Sequence, residues 1–233
     1  MPKERSFNRL VFALAVCVLA LTACPGTGAA ASGETGSAAT EAAASTPKPF
    51  DFYVLSLSWS PSYCKAAGQK ANKYQCGKRP AYGFIVHGLW PQYEHGYPKD
   101  CKSDAERKVP RERMNALSDL MPGYGLIIHE WRTHGICTGL SQEDYFARLR
   151  KAYESVAIPS GFPREESGVK PSDVEAAFIT ANPGMPPDGV SVDCDRKYLR
   201  EVRICLTKEM RFRPCRELER ASCHASTIEM PPR

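Results

Sequence analysis

Between Phe52 and Trp59 the chain reads Phe-Tyr-Val-Leu-Ser-Leu-Ser-Trp, β-forming residues with a period of two, which predicts a core strand ended by Ser60-Pro61. Tyr82-Gly-Phe-Ile-Val-His87 predicts a second strand, and Pro91 is expected to stop its ladder. The run from Ser62 to Pro80, with two cysteines and many Lys, Gln and Asn, reads as a long stapled loop. Asp104 to Leu120 suits a helix interrupted at Pro110 and closed by Pro122-Gly123. Ser141-Gln-Glu-Asp144 forms a capping box for a helix to about Val156, with Tyr145, Phe146, Leu149 and Tyr153 on its buried side. Ser172-Asp-Val-Glu175 repeats that signal, and its helix must stop at Asn182-Pro183-Gly184. Val190 to Cys194, Arg200 to Leu206 and Met210 to Phe212 alternate as antiparallel strands do. Strands at both ends with helices between them predict an α+β domain, a mostly antiparallel central sheet with helices packed on one side.

The amino-terminal pattern is of another kind. In residues 1–23, Lys3, Arg5 and Arg9 precede an apolar run from Leu10 to Leu21 that is short for an ordinary membrane span and reads as an export signal. Leu21-Thr22-Ala23-Cys24 resembles a lipobox, in which the chain is cut before the cysteine and Cys24 is acylated. Residues 24–49 are Ala, Gly, Ser, Thr and Pro with little to bury and read as a disordered tether. Residues 50–233 are left as the folded domain. The expected product is an exported, monomeric lipoprotein on the periplasmic or cell-surface side, its lipid anchor in the membrane and no protein partner implied.

Composition narrows the chemistry. With 42% apolar and 24% charged residues in 233, one ordinary globular domain plus appendages is indicated. The formal charge is +5; residues 1–23 carry +2 of it and the tether −1, so the domain keeps about +4. That suits an anionic ligand and excludes a surface that coats nucleic acid. Of ten cysteines, Cys17 leaves with the signal and Cys24 is the acylation site. The eight that remain, an even number behind an export signal, read as four disulfides, and spacing alone leaves their pairing open.

Two histidines, a carboxylate, a tryptophan and a cysteine crowd into His129-Glu-Trp-Arg-Thr-His-Gly-Ile-Cys137. On an α-helix Glu130 and His134 lie about 40° apart and share a face, whereas His129 lies about 140° from His134 and points elsewhere. That geometry is poor for a zinc-protease helix and suits a carboxylate orienting an imidazole. His87, at a strand end beside Gly88, adds a second imidazole. Two imidazoles at one reacting centre suit phosphodiester transfer in RNA, where one takes the 2′-hydroxyl proton and the other protonates the departing 5′-oxygen. Neither a metal nor a cofactor is then needed.

His87-Gly-Leu-Trp-Pro91 and His129-Glu-Trp-Arg-Thr-His-Gly-Ile-Cys137 together resemble the signatures of the ribonuclease T2 family, approximately H-G-L-W-P and H-E-W-x-K-H-G-x-C. The likeness extends from the opening strand to the cysteine-bearing carboxy-terminal strands. It implies an α+β fold and cleavage of single-stranded RNA through a 2′,3′-cyclic phosphate to a 3′-phosphate. On the family's pattern His134 is the base and His87 the acid of the first step. Glu130 holds His134 and steadies the pentacovalent phosphate, and His129 contacts phosphate. Trp90, with nearby Tyr97, is the expected stacking platform for bases. The implied disulfides are Cys64 with Cys76, Cys101 with Cys137, Cys194 with Cys223, and Cys205 with Cys215. Trp59 and Trp131 are expected in the core. One departure stands out: Thr133 replaces the usual lysine, a loss that can cost on the order of 3 kcal/mol of transition-state stabilisation. Arg132 is the neighbouring cation, about 100° away on a helix.

Two alternatives follow from the residues: a catalytically weak RNA-binding surface lipoprotein on the same scaffold, and a metallohydrolase using His129, Glu130 and His134. Incubation of the domain with unstructured RNA in EDTA separates them. The expected result is undiminished cleavage with 2′,3′-cyclic and 3′-phosphate ends; loss of cleavage in EDTA contradicts it.

Overall fold

The computed structural model describes residues 49–77, 80–161, 168–220 and 222–233. The export signal, Cys24 and nearly all of the tether lie outside the described residues. In chain order the elements are β1 (Phe52–Trp59), α1 (Ser60–Ala67), α2 (Lys73–Cys76), β2 (Phe84–Gln92), α3 (Arg111–Ala116), α4 (Tyr124–Glu130), a π turn (Trp131–Gly135), α5 (Gln142–Glu154), α6 (Pro171–Ala181), β3 (Val190–Cys194), β4 (Leu199–Leu206) and α7 (Arg216–Arg220).

The strands form one antiparallel sheet in the order β2-β1-β4-β3. Alternation gives this sheet two different faces. Tyr53, Leu55 and Leu57 of β1 and Val202 and Ile204 of β4 join Tyr145, Phe146 and Leu149 of α5 and Val174 and Phe178 of α6 in the main core. Burying each such aliphatic or aromatic side chain contributes roughly 1.5–3 kcal/mol. On the opposite face Phe52, Val54 and Cys205 make a smaller cluster with Trp90 and, from α7, Leu218. The fold is therefore α+β, with its two longest helices on one face of the sheet. Trp59 and Trp131 are both core residues.

Several local expectations are corrected. The stretch after β1 is helical rather than a loop, since Pro61 sits in the first turn of α1, where its missing N–H costs nothing. Pro91 does not stop β2: it pairs with Tyr53 on an edge strand. Gln92 O accepts from Asp51 N, so Gln92 faces β1 and the missing proline donor lies on the open side. The helix around Pro110 forms only beyond it, as α3. Ser141 caps α5 by accepting from Asp144 N at 3.0 Å, as its sequence suggests. By contrast α6 starts at Pro171 without a capping side chain from Ser172. Met210–Phe212 contributes one isolated bridge, Leu206 to Phe212, rather than a strand.

Four disulfides join Cys64 to Cys76, Cys101 to Cys137, Cys194 to Cys223 and Cys205 to Cys215, the pairs that the family resemblance implies. The second of these ties the irregular segment before α3 to the short turn, residues 136–138, that follows the π turn.

β2 carries the feature that matters most for the site. Ser56 pairs with Gly88 and Leu57 with Val86, leaving His87 as the extra residue of a β-bulge. In an unbroken ladder His87 would alternate onto the core face; the bulge releases it and returns Val86 to the core, where it is fully buried. Next to it, a Cβ built at Gly88 would overlap the Glu130 carboxylate and the Trp90 indole nitrogen. Glu130 is 1% exposed and cannot swing into solvent. Gly88→Ala is therefore expected to cost about 1–3 kcal/mol in urea or thermal unfolding, the usual penalty of overpacking; wild-type stability would show that the carboxylate has room to move.

Candidate active site

Two short stretches meet at the open end of the bulge. β2 supplies His87 and Trp90, the end of α4 supplies Glu130, and the π turn supplies His134. The Trp90 ring lies 5.4 Å from the His87 ring and 5.4 Å from the His134 ring, so the two imidazole centroids are no further apart than twice that distance. Trp90 Nε1 donates to Glu130 Oε2 at 2.8 Å. The other oxygen, Oε1, lies 3.6 Å from His87 Nε2 and has no hydrogen-bond partner.

The carboxylate thus serves a different ring from the one expected. Glu130 is bound to Trp90 and faces His87; it does not hold His134. The glycine beside His87 makes room for this carboxylate. The π turn alters the other angular expectation. Ile136 N reaches Trp131 O, five residues back, so residues five apart are brought to one side of the helix. Trp131 and Ile136 both enter the core, and His129 and His134 come to face each other with ring centroids 6.5 Å apart. Gly135 permits this winding, since a Cβ there would overlap the Trp131 ring. Arg132 turns from the site to the segment before α3, where its Nε donates to Arg107 O at 3.0 Å. Thr133 is exposed. Neither residue lines the cavities at the two histidines.

Three charged side chains at the site were not anticipated. Glu201, 7% exposed on β4, accepts from His87 Nδ1 through Oε1. Its Oε2 accepts from Arg203 Nε at 3.0 Å and Nη2 at 2.9 Å. Arg203 in turn reaches Asp193 on β3 at 3.4 Å and lies over the Trp90 ring, 5.4 Å from its centroid. The available signal was an opposite-charge pair, Glu201 and Arg203, two residues apart in a predicted strand, which alternation puts on one face.

These neighbours pull the titrations apart. Burial lowers the His134 pKa, and the charges of His129 and His87 lower it further, to about 4. Burial also acts against the charged form of His87, but the hydrogen bond and charge of Glu201 and the charge of Glu130 outweigh it and raise the pKa. Burial raises Glu130 to about 7 despite the opposing effects of His87 and Trp90. Glu201 is held down at about 2: burial opposes this, and the His87 and Arg203 contacts overcome it. At neutral pH His134 is neutral and Glu201 is a carboxylate, while the charged form of His87 is favoured more than that of a free imidazole.

Each imidazole opens onto its own cavity of about 380 Å³. Trp90, Tyr93, Tyr97, Arg203 and Glu217 line the one at His134, with Tyr97 48% exposed. Tyr63, Gln75, Leu126, Arg200 and Glu201 line the one at His87. Among the described residues no group of three or more His, Cys, Asp or Glu side chains is placed to hold a metal ion.

The comparisons with known proteins identify the family. Residues 50–215 match the model of the ribonuclease T2 family. A ribonuclease of Aeromonas hydrophila is 37% identical over 175 residues, covering 69% of this chain and 73% of its own. Ribonuclease DdI of Dictyostelium discoideum is 30% identical over 206 residues, covering 78% and 85%. Among solved structures, RNase NT in complex with 5′-AMP superimposes with a TM-score of 0.61 at 22% identity, over 79% of this chain and all of the other. With both signature stretches converging on one buried carboxylate inside the matched region, the chain belongs to the ribonuclease T2 family and is an RNA endonuclease.

Proposed function

We propose that this ribonuclease cleaves single-stranded RNA by transphosphorylation to a 2′,3′-cyclic phosphate, which water then opens to a 3′-phosphate, and that His134 and His87 are its base and acid. The observation that carries this reading is the electrostatic asymmetry of two imidazoles flanking one indole. His134, held neutral, takes the proton of the 2′-hydroxyl as that oxygen attacks phosphorus. His87, whose charged form its carboxylate neighbours favour, passes a proton to the 5′-oxygen as the P–O5′ bond breaks. In the second step the roles exchange: His87 takes a proton from water, and His134 returns one to the 2′-oxygen. Each positioned acid or base contributes roughly 10²- to 10⁴-fold, together about 5 to 11 kcal/mol of barrier.

Glu130 fits the same centre. A pKa of about 7 leaves Glu130 a protonated fraction near neutral pH, and in that form it can donate from Oε1 to a phosphate oxygen, where the carboxylate would repel it. His129, exposed beside His134, is a phosphate contact on this reading. The nucleotide that supplies the 2′-hydroxyl takes the His134 cavity, with Trp90 and Tyr97 available to its base, and the departing nucleoside takes the His87 cavity. A base stacked on an aromatic face gains roughly 1–3 kcal/mol with little sequence preference.

We also propose export as a lipoprotein acylated at Cys24, a reading supported by the sequence of residues 1–24 and by the four disulfides, which suit an oxidising compartment.

Dinucleotide cleavage by His134→Ala and by His87→Ala is expected to fall by about 10²- to 10⁴-fold each. Wild-type kcat/KM should rise through about pH 4, as His134 loses its proton, and fall above pH 6.5, as His87 loses its own. A wild-type rate in either variant, or a rate flat across that range, contradicts paired imidazoles.

A further inference from the structure

The proposed reaction leaves one buried ionised group at the site without a task. Glu201 stands on the central strand β4, opposite Ser58 of β1 and Asp193 of β3. Both of its oxygens are committed, Oε1 to His87 Nδ1 and Oε2 to two nitrogens of Arg203. The arginine is itself fixed, by Asp193 at 3.4 Å and by its seat over Trp90. His87, as the extra residue of a bulge, has no ladder partner of its own. A ring there needs another group to set its rotation and its tautomer.

We infer that Glu201 is the positioning residue for His87: its carboxylate takes the Nδ1 proton in a hydrogen bond, turns Nε2 toward the reacting centre and keeps the ring charged, with Arg203 and Asp193 locking the carboxylate in place. The inference rests on the reading of His87 as the general acid. The direction of Nε2 agrees with it, since that nitrogen looks toward Glu130 Oε1 at 3.6 Å. Other groups around the ring are Glu130 from α4, His134 from the π turn, Trp90 on β2, Tyr63 from α1, and Arg200 and Arg203 on β4. Glu130 and Glu201 favour the charged ring and Arg203 disfavours it. Removing the Glu201 charge therefore lets the His87 proton leave at lower pH, and the alkaline limb of the rate profile must move down.

The test compares two esters of one nucleoside 3′-phosphate in the full chain. A dinucleotide expels an alkoxide that needs a proton, whereas a 4-nitrophenyl ester expels a phenolate that does not. His87→Ala should slow the dinucleotide by about 10²-fold or more and leave the aryl ester within a few-fold of wild type. Glu201→Gln keeps size and acceptor and removes the charge. It should show the same selectivity, with about a tenfold or greater loss on the dinucleotide above pH 7 and an alkaline limb lower by about one pH unit or more. Glu201→Asp, which keeps the charge and shortens the reach, should slow the dinucleotide selectively and serves if the glutamine variant folds poorly. A selective His87→Ala beside a Glu201→Gln that slows both esters alike, or neither, overturns the inference alone. A His87→Ala that slows both alike removes the acid assignment and the inference with it.

Discussion

A carboxylate shut away from water joins the two signature stretches of this chain. Glu130 closes α4 with 1% of its surface exposed, and the hydrogen bond from Trp90 and the proximity of His87 compensate for part of its desolvation. An isolated ionised carboxylate in such a place would be very costly, and the raised pKa is the expected response. The approach is possible only because residue 88 has no side chain. A side chain at that position would press on the contact between the strand that carries one imidazole and the helix that precedes the other.

From this contact follows a division of labour. His87 sits between two carboxyl groups, Glu130 and Glu201, and is favoured as a cation. His134, a few ångströms beyond the Trp90 ring, is disfavoured as a cation by burial first and then by the charges of His129 and His87. Like rings in one small space are thus driven toward unlike protonation states, as the acid and base roles proposed for them require. No cation at position 133 contributes to this balance, and Arg132 is engaged elsewhere. The guanidinium nearest the Trp90 face belongs to Arg203, itself clamped by carboxylates.

How much of this was legible beforehand depends on the range of the interaction. β1 and the Ser141 cap of α5 rest on neighbours in sequence, and both were readable from local pattern. The α+β class followed from the order of elements, and the two motifs meet at one buried carboxylate. What the pattern could not show was set by tertiary packing. A bulge is invisible to alternation, so the turning of His87 out of the core needed the register with β1. An α-helical wheel separates His129 from His134; burying both Trp131 and Ile136 winds the helix more widely and brings the two rings together. It also suggests a Glu130–His134 pair, yet Glu130 turned to a strand forty residues away, and Glu201 met His87 across 114 positions.

The split between the two rings can be read without any substrate. In the free protein, proton–nitrogen correlation spectra recorded through a pH titration, with each signal assigned by its histidine variant, report the two side chains separately. The account requires His134 to gain its proton only near pH 4 and His87 to keep its proton above the ordinary value of 6.5. A His134 that titrates at or above His87 would contradict it.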